Sequence, residues 1–330
     1  MPSNLLGTTL LDMAAIEKRP MARAIIRAMF TATLPSPIDT IPVVNALALS
    51  QQIVRLSDAG APSTRNIGQA VTAYAAKFVD ATETLKIIEN KITIDKVLLD
   101  VKTYIQDPIK LQTDQYAQTV KLLMNELLIA GDPGTDVTQP TGLDYRLRNQ
   151  ALFVGQSVNA AGLNVDNSDA NRNEWLDKMS EAVDLARAQA DICIVNRQTY
   201  QALRSALRNL KLYDTTKDQF DRQVMVYDGV RFYDAGQKPA GALQSSATNQ
   251  IIGDDNATSI FNTGSTTPMY FLSTKGEQGV KVLQLHPLRV TKPGIDASDP
   301  GVFVIDVTWP IGFLVPHKFA ISSVQGLDIT

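Results

Sequence analysis

Apolar residues at 4-3-4-3 spacing, Tyr116, Val120, Leu123, Leu127 and Ala130, mark the strongest periodic signal in the chain, a helix over 108–130. Asp107 suits its N-cap, Pro108 its first turn and Gly131 its exit. Lys110, Asp114, Gln118, Lys121 and Asn125 fall elsewhere on its surface, so a single packed face is expected. At 1.5 Å per residue the helix is about 35 Å long. A second helix is predicted over about 171–189, with Leu176, Met179, Val183 and Ala186 inward. Its acids Glu174, Asp177, Glu181 and Asp184 read as a solvated face. It runs into a buried strand at 192–195, after which Asn196 caps a third helix carrying Tyr200, Leu203, Leu207 and Leu210. Strands at 223–227 and 230–233 flank Asp228-Gly229, a hairpin signature.

Residues 20–30 form a helical patch, and Pro35, Pro37 and Pro42 make the following stretch extended. Alternation over 69–78 and 85–94, on either side of 80–84, predicts a long two-stranded hairpin. Neither segment carries a core of its own, so each needs a neighbour to lie on. Residues 237–268, rich in Gly, Ser, Thr, Asn and Ala, read as a long surface loop. Strands resume at 269–273, 280–285, 302–315 and 319–324, giving an α+β class.

Composition sharpens this picture mainly by exclusion. With 330 residues, 44% hydrophobic and 20% charged, the chain is long and apolar enough for one large or two ordinary domains. Lysine plus arginine number 31 against 34 acids, a net charge of -3, so tight non-specific DNA binding is not expected. The longest apolar runs, 302–305 and 311–315, fall far short of the ~18 residues of a membrane-spanning helix. Residues 1–7 lack the features of a secretory signal. The single cysteine, Cys193, excludes an internal disulfide or a cysteine-based zinc finger, and its apolar neighbours mark it as core. Only two histidines are present, His286 and His317, each beside a proline and expected at strand ends. They supply no nucleophile–base set and no imidazole-rich metal site. Gly131-Asp-Pro-Gly134 lacks a Walker lysine and reads as a turn, and Asp254-Asp255 as an exposed loop. No catalytic, cofactor-binding or metal-ligating residue is assigned.

The order of elements is an extended arm, a long hairpin, a long helix closing at Gly-Asp-Pro-Gly, a mixed domain and terminal strands. In this order, and in three runs of sequence, the chain resembles the major capsid proteins of tailed bacteriophages with the Hong Kong 97 fold. The most specific run is Tyr116-Ala-Gln-Thr-Val-Lys-Leu-Leu-Met-Asn-Glu-Leu-Leu-Ile-Ala-Gly-Asp-Pro-Gly134, followed by Pro140-Thr-Gly-Leu143, similar to the family's spine helix and its exit. Ile192-Cys-Ile-Val-Asn-Arg-Gln-Thr-Tyr-Gln-Ala-Leu203 is similar to its axial strand and helix. Val307-Thr-Trp-Pro-Ile-Gly-Phe313 with Pro316 is similar to its closing strands.

The resemblance implies an N-terminal arm at 1–65, an E-loop at 66–106 and a peripheral domain at 107–149 built on the 108–130 spine helix. An axial domain at 150–296 would follow, and 297–330 would return as terminal strands of the peripheral domain. It implies no enzyme, but a subunit that assembles in hexamers and pentamers into the icosahedral shell around a dsDNA genome. Its partners would be further copies of itself, portal, scaffold and decoration proteins, and packaged dsDNA by weak non-specific contact, with no membrane. Its location would be the virion, after assembly in the host cytoplasm. A scaffold is expected as a separate protein, because arm-like sequence starts close to Met1.

Tyr74, Phe78, Ile92 and Ile94 would be contacts with an adjacent subunit or hairpin core, with Lys86 and Lys91 at the edges. Arg19, Arg23 and Arg27 share one helix face, turned to interior DNA, to acids of a neighbour, or simply to solvent. An encapsulin-like compartment that encloses a cargo shares the fold. An α+β enzyme working with carboxylates alone is the alternative from another class.

Overall fold

A computed structural model describes residues 20–31, 35–58, most of 63–96, 108–164, 168–217 except 188, 222–236, 238, 251–252, 266–291, 294–296 and 299–328. Its helices are α1 (Pro20–Thr31), α2 (Pro108–Ala130), α3 (Leu143–Asn149), α4 (Asp169–Leu185) and α5 (Arg197–Asn209). The first strands are β1 (Val43–Asn45), β2 (Ser50–Asp58), β3 (Lys77–Thr84), β4 (Lys86–Asp95), β5 (Ser157–Asn164), β6 (Ile192–Val195) and β7 (Asp214–Lys217). They are followed by β8 (Gln223–Tyr227), β9 (Val230–Asp234), β10 (Thr266–Leu272), β11 (Lys281–Gln284), β12 (Arg289–Val290), β13 (Gly294–Ile295), β14 (Val302–Leu314) and β15 (Ile321–Asp328).

Among the described residues the strands form three sheets. The first is organised on the 13-residue β14, which pairs with β4, β11, β12 and β13, while β1 extends it parallel to β11. The second has the order β5-β15-β10-β6-β9-β8-β7. The third is the lone antiparallel pair β2–β3.

Side chains alternate along each strand, so the second sheet serves two cores. Ile192, Ile194, Tyr270 and Leu272 join the core of the first sheet, α1 and α2. Cys193, Val195, Phe232 and Phe271 pack beneath α4 and α5. Burial pushes the Cys193 thiol well above its usual pKa, in keeping with a core residue.

Several expectations meet their element directly. The helix α2 spans 108–130 as predicted, and Asn196 caps α5, its side chain accepting the Thr199 N–H at 2.6 Å. Asp228 and Gly229 lie at φ 50° and 75°, the left-handed pair that a tight hairpin between β8 and β9 requires.

Other expectations are corrected. The span 80–84 is not a turn but the end of β3, and β3 pairs with β2 rather than with residues 85–94. The hairpin therefore begins at Ser50, inside the span read as arm, and β4 leaves it to pair with β14 from Lys86↔Ile311 to Asp95↔Val302. Of the two terminal strands only β14 belongs to the sheet beside α2; β15 lies between β5 and β10. Conversely, β11, β12 and β13, read as axial, pair around β14. Lys121 and Asn125, read as surface, are buried, whereas Leu123 is only partly covered beside the fully buried Met124. The loop residues Asp254 and Asp255 lie outside the described residues.

Candidate assembly surface

The β2–β3 ribbon pairs from Ser50↔Thr84 to Asp58↔Lys77 and, among the described residues, gains no third strand. Three of its apolar side chains are open: Val54 is 65%, Phe78 64% and Val79 47% exposed. Along β3 the one fully buried residue is Glu83, near the root. Two strands alone are marginal in water, so the root must hold the ribbon in place.

The root is ionic. Glu83 pairs with Arg55 across the ribbon, and Arg146 of α3 donates from both terminal nitrogens to the two Glu83 oxygens at 2.6 and 2.7 Å. Arg55 Nε–H also donates to the Val315 carbonyl at 2.9 Å, and its guanidinium sits 5.5 Å from the centre of the Phe153 ring. Arg146 reaches the Phe313 carbonyl at 3.0 Å and that of Thr141 at 3.2 Å. All three side chains are at most 5% exposed. Two guanidiniums share one carboxylate, and burial pulls the Arg55 pKa below its ordinary value despite Glu83. The planar fork of Arg146 fixes direction as well as distance, and Lys318 Nζ donates to the Ser57 carbonyl at 3.4 Å, so the ribbon is set in one orientation on the body.

A second buried ion group fixes the extended segment before β1. Asp39 accepts from Lys121 Nζ of α2 at 2.9 Å and from Arg222, just before β8, at 2.8 Å. Ser36 Oγ–H donates to Asn125 Oδ1 at 2.8 Å. The proline-rich segment therefore lies on α2 of its own subunit, and this is why two polar residues of that helix are inside.

The exit of α2 shows what its glycines are for. Gly142 N–H donates to the Gly131 carbonyl at 2.8 Å, bringing two backbone segments together. A Cβ on Gly131 would stand 2.4 Å from the Pro140 oxygen, and one on Gly142 2.6 Å from the Gly131 nitrogen. Asp132 closes the turn by accepting from the N–H groups of Gly134 and Thr135. Desolvation acts to raise its carboxyl, but the Thr135 hydroxyl, donating at 2.9 Å, and these N–H bonds draw it below its ordinary value. Beside this turn, burial raises the Asp144 carboxyl, which accepts from Tyr270 Oη at 2.9 Å and pairs with Arg148.

The residues singled out in the sequence do not form one patch. Phe78 is open on the ribbon. Lys86 donates to the Val137 carbonyl, and Lys91 pairs with Asp296 at 3.2 Å with its own side chain half exposed. Ile92 and Ile94 are corrected: at 7% and 3% exposure they belong to the subunit's own core, where β4 faces α2. Tyr74 and Arg19 lie outside the described residues, as does the side chain of Arg27; Arg23 is half-buried on α1. The ion groups at Glu83 and Asp39 were not foreseen. The lone charge in Ile53-Val-Arg-Leu56 is a signal that points to the first; Glu83, among Asp80, Thr82 and Thr84, carries none. His286 Nδ1 lies 2.9 Å from the Pro287 oxygen, and His317 Nδ1 accepts the Phe319 N–H at 3.2 Å, so each is engaged locally.

No family model and no curated protein matches this sequence. Solved structures do match it. The SrpI encapsulin complex of Synechococcus elongatus PCC 7942 aligns at TM-score 0.60 and 15% identity over 92% of this chain and 95% of that one. The capsid of the native GTA particle aligns at TM-score 0.55 and 17% identity over 90% and 92%. Mycobacterium phage Bobi aligns at TM-score 0.54 and 12% identity over 91% and 93%. The chain has the Hong Kong 97 fold, over nearly its whole length.

Proposed function

We propose that a chain with this fold works as a structural subunit, many copies of which close into a shell, and that the shell is the capsid of a tailed bacteriophage enclosing dsDNA. The observation that carries the self-assembly is the β2–β3 ribbon. Its root is locked by Arg55, Glu83 and Arg146, while Val54, Phe78 and Val79 stay uncovered by the subunit itself. A ribbon fixed on its own subunit along one face, with apolar side chains open elsewhere, is a binding element, and a second copy supplies the missing surface. Repeated through closed symmetry, modest contacts of this kind add up to a stable particle. Phe78 contributes apolar area there, while Lys86 and Lys91 lie apart from it on β4. Hexamers and pentamers, a portal, a scaffold, decoration proteins and weak contact with the packaged genome complete this reading, with the role structural rather than catalytic.

The likeness to the SrpI encapsulin, at TM-score 0.60, favours a second reading, a compartment filled with protein cargo. Purified particles separate the two. Sedimentation and negative-stain microscopy of the full chain should give megadalton shells, and nuclease-protected DNA in natural particles supports the capsid. Protein cargo without nucleic acid would support the compartment. A discrete small oligomer would remove both.

A further inference from the structure

Helices α4 and α5 cover the same face of the second sheet. Trp175, Met179 and Ala182 share one core with Leu203, Ala206 and Leu207. Turned away from that core, α4 presents Glu174, Asp177, Glu181 and Asp184, all exposed and spaced i, i+3, i+7, i+10. On α5 the outward stripe is Arg197, Arg204 and Arg208, at i, i+7, i+11, with Lys211 just past the last turn, all exposed. Residues 196–213 contain no carboxylate, in a chain whose net charge is -3. Charge is thus sorted by sign onto two neighbouring helices.

Little of the sorting is used within the subunit. Among the described residues the one close ion pair of these eight is Glu181 with Lys178 at 3.2 Å; Arg197 acts on the Asp234 carboxyl only at longer range, Arg204 lies 5.7 Å from the centre of the Tyr213 ring, and Arg208 donates to the Arg204 carbonyl. Like charges three and four residues apart oppose a helix, so each stripe is unfavourable alone. The two match in length, about 15 Å from Glu174 to Asp184 and about 17 Å from Arg197 to Arg208 at 1.5 Å per residue. They also sit toward different margins of the sheet, α4 over β5 and β15, α5 over β9.

We propose that the acidic stripe of α4 on one copy docks against the basic stripe of α5 on the next. Each copy then gives acid to one neighbour and base to the other, a head-to-tail contact that closes into a ring. The inference deepens the shell reading, from which it takes the identity of the partner. Complementary charge steers such encounters and penalises wrong registers.

Charge exchange on the full-length chain tests it. One variant carries Arg204→Glu and Arg208→Glu, a second Asp177→Lys and Glu181→Lys, and a third all four. Every position is exposed, and melting curves confirm folding. Shell yield is read by sedimentation and electron microscopy against protein and salt concentration. Each two-site reversal should raise the concentration needed for assembly by at least about tenfold. The four-site exchange should return it to within about threefold of the parent, the coupling expected of groups in contact. Assembly of the parent should weaken with salt. Unchanged assembly in both reversals, with the parent forming shells, overturns this contact and leaves the shell reading standing. A four-site variant worse than either reversal also overturns it. If the α5 reversal lowers only nucleic-acid content at normal shell yield, the stripe faces a phosphate backbone and the proposal fails. A parent that stays monomeric at every salt overturns both readings.

Discussion

Glu83→Gln removes the carboxylate that Arg55 and Arg146 share while keeping the shape of the side chain. All three groups are at most 5% exposed, so solvent screens little of the loss. Breaking a buried ion pair from one side costs about 3–5 kcal/mol, because the remaining charges stay desolvated. Here two guanidiniums are left with neutral acceptors alone, the new amide oxygen and the carbonyls of Val315, Phe313 and Thr141, while the amide NH2 faces a donor. For 330 residues at ~2.1 cal/mol/K each, unfolding entropy is about 0.7 kcal/mol/K, so the melting temperature should fall by roughly 4–7 °C. The ribbon has a cheaper route than global unfolding: it detaches, and Arg55 reaches water. Hydrogen exchange of the unassembled subunit should therefore show β2 and β3 losing protection while α2 keeps it. Replacing the set by Arg55→Met, Glu83→Leu and Arg146→Met should restore stability to within about 1 kcal/mol of the parent or above it, since apolar packing replaces a desolvated ion group well. Unchanged melting and unchanged exchange in Glu83→Gln would refute the assignment of the ribbon's root to this ion group.

Met124, fully buried on α2, should cost about 2–5 kcal/mol when cut to alanine, and the partly covered Leu123 clearly less; chemical denaturation of both variants compares them. Gly142→Ala should abolish soluble expression at 37 °C, because its Cβ meets backbone on both sides; a soluble variant with parental melting would contradict that packing. Desolvation first, and then Lys318, hold the His317 pKa below its ordinary 6.5. The folded state therefore binds fewer protons than the unfolded one, and this part of the stability is lost as pH falls from above 6.5 toward the folded pKa. His317→Asn keeps an acceptor for the Phe319 N–H and should flatten that limb of a melting-temperature–pH profile.

Local signals were legible where a residue type answers a local need. Pro108 and Gly131 bound α2, Asn196 caps α5, and Asp228-Gly229 turns between β8 and β9. Alternation also marked β4, whose Ile88, Ile92 and Ile94 face inward. What alternation does not contain is the partner. β4 was assigned to its sequence neighbour, yet its ladder is with β14, some two hundred residues away. The strand β2 is hard to read because the face its subunit covers, Gln51, Ile53, Arg55 and Ser57, is mostly polar while Val54 stands open on the other, so no apolar alternation marks it. Lys121 and Asn125 read as surface because helical periodicity records polarity, while their burial depends on Asp39 and Ser36, more than eighty residues earlier in the chain. The assembly surface was the least legible for the same reason: the position of the ribbon depends on three charges brought together from β2, β3 and α3.

In the proposed assembly, a ribbon rooted at Glu83 joins copies of this chain into a closed shell. Electron cryomicroscopy of the purified full-length protein tests it most directly, since one reconstruction reads both closure and ribbon placement. The expected result is a closed particle in which residues 50–84 lie on an adjacent copy, with Val54, Phe78 and Val79 covered by it. A monomer or small closed oligomer whose ribbon folds back on its own subunit would contradict the claim.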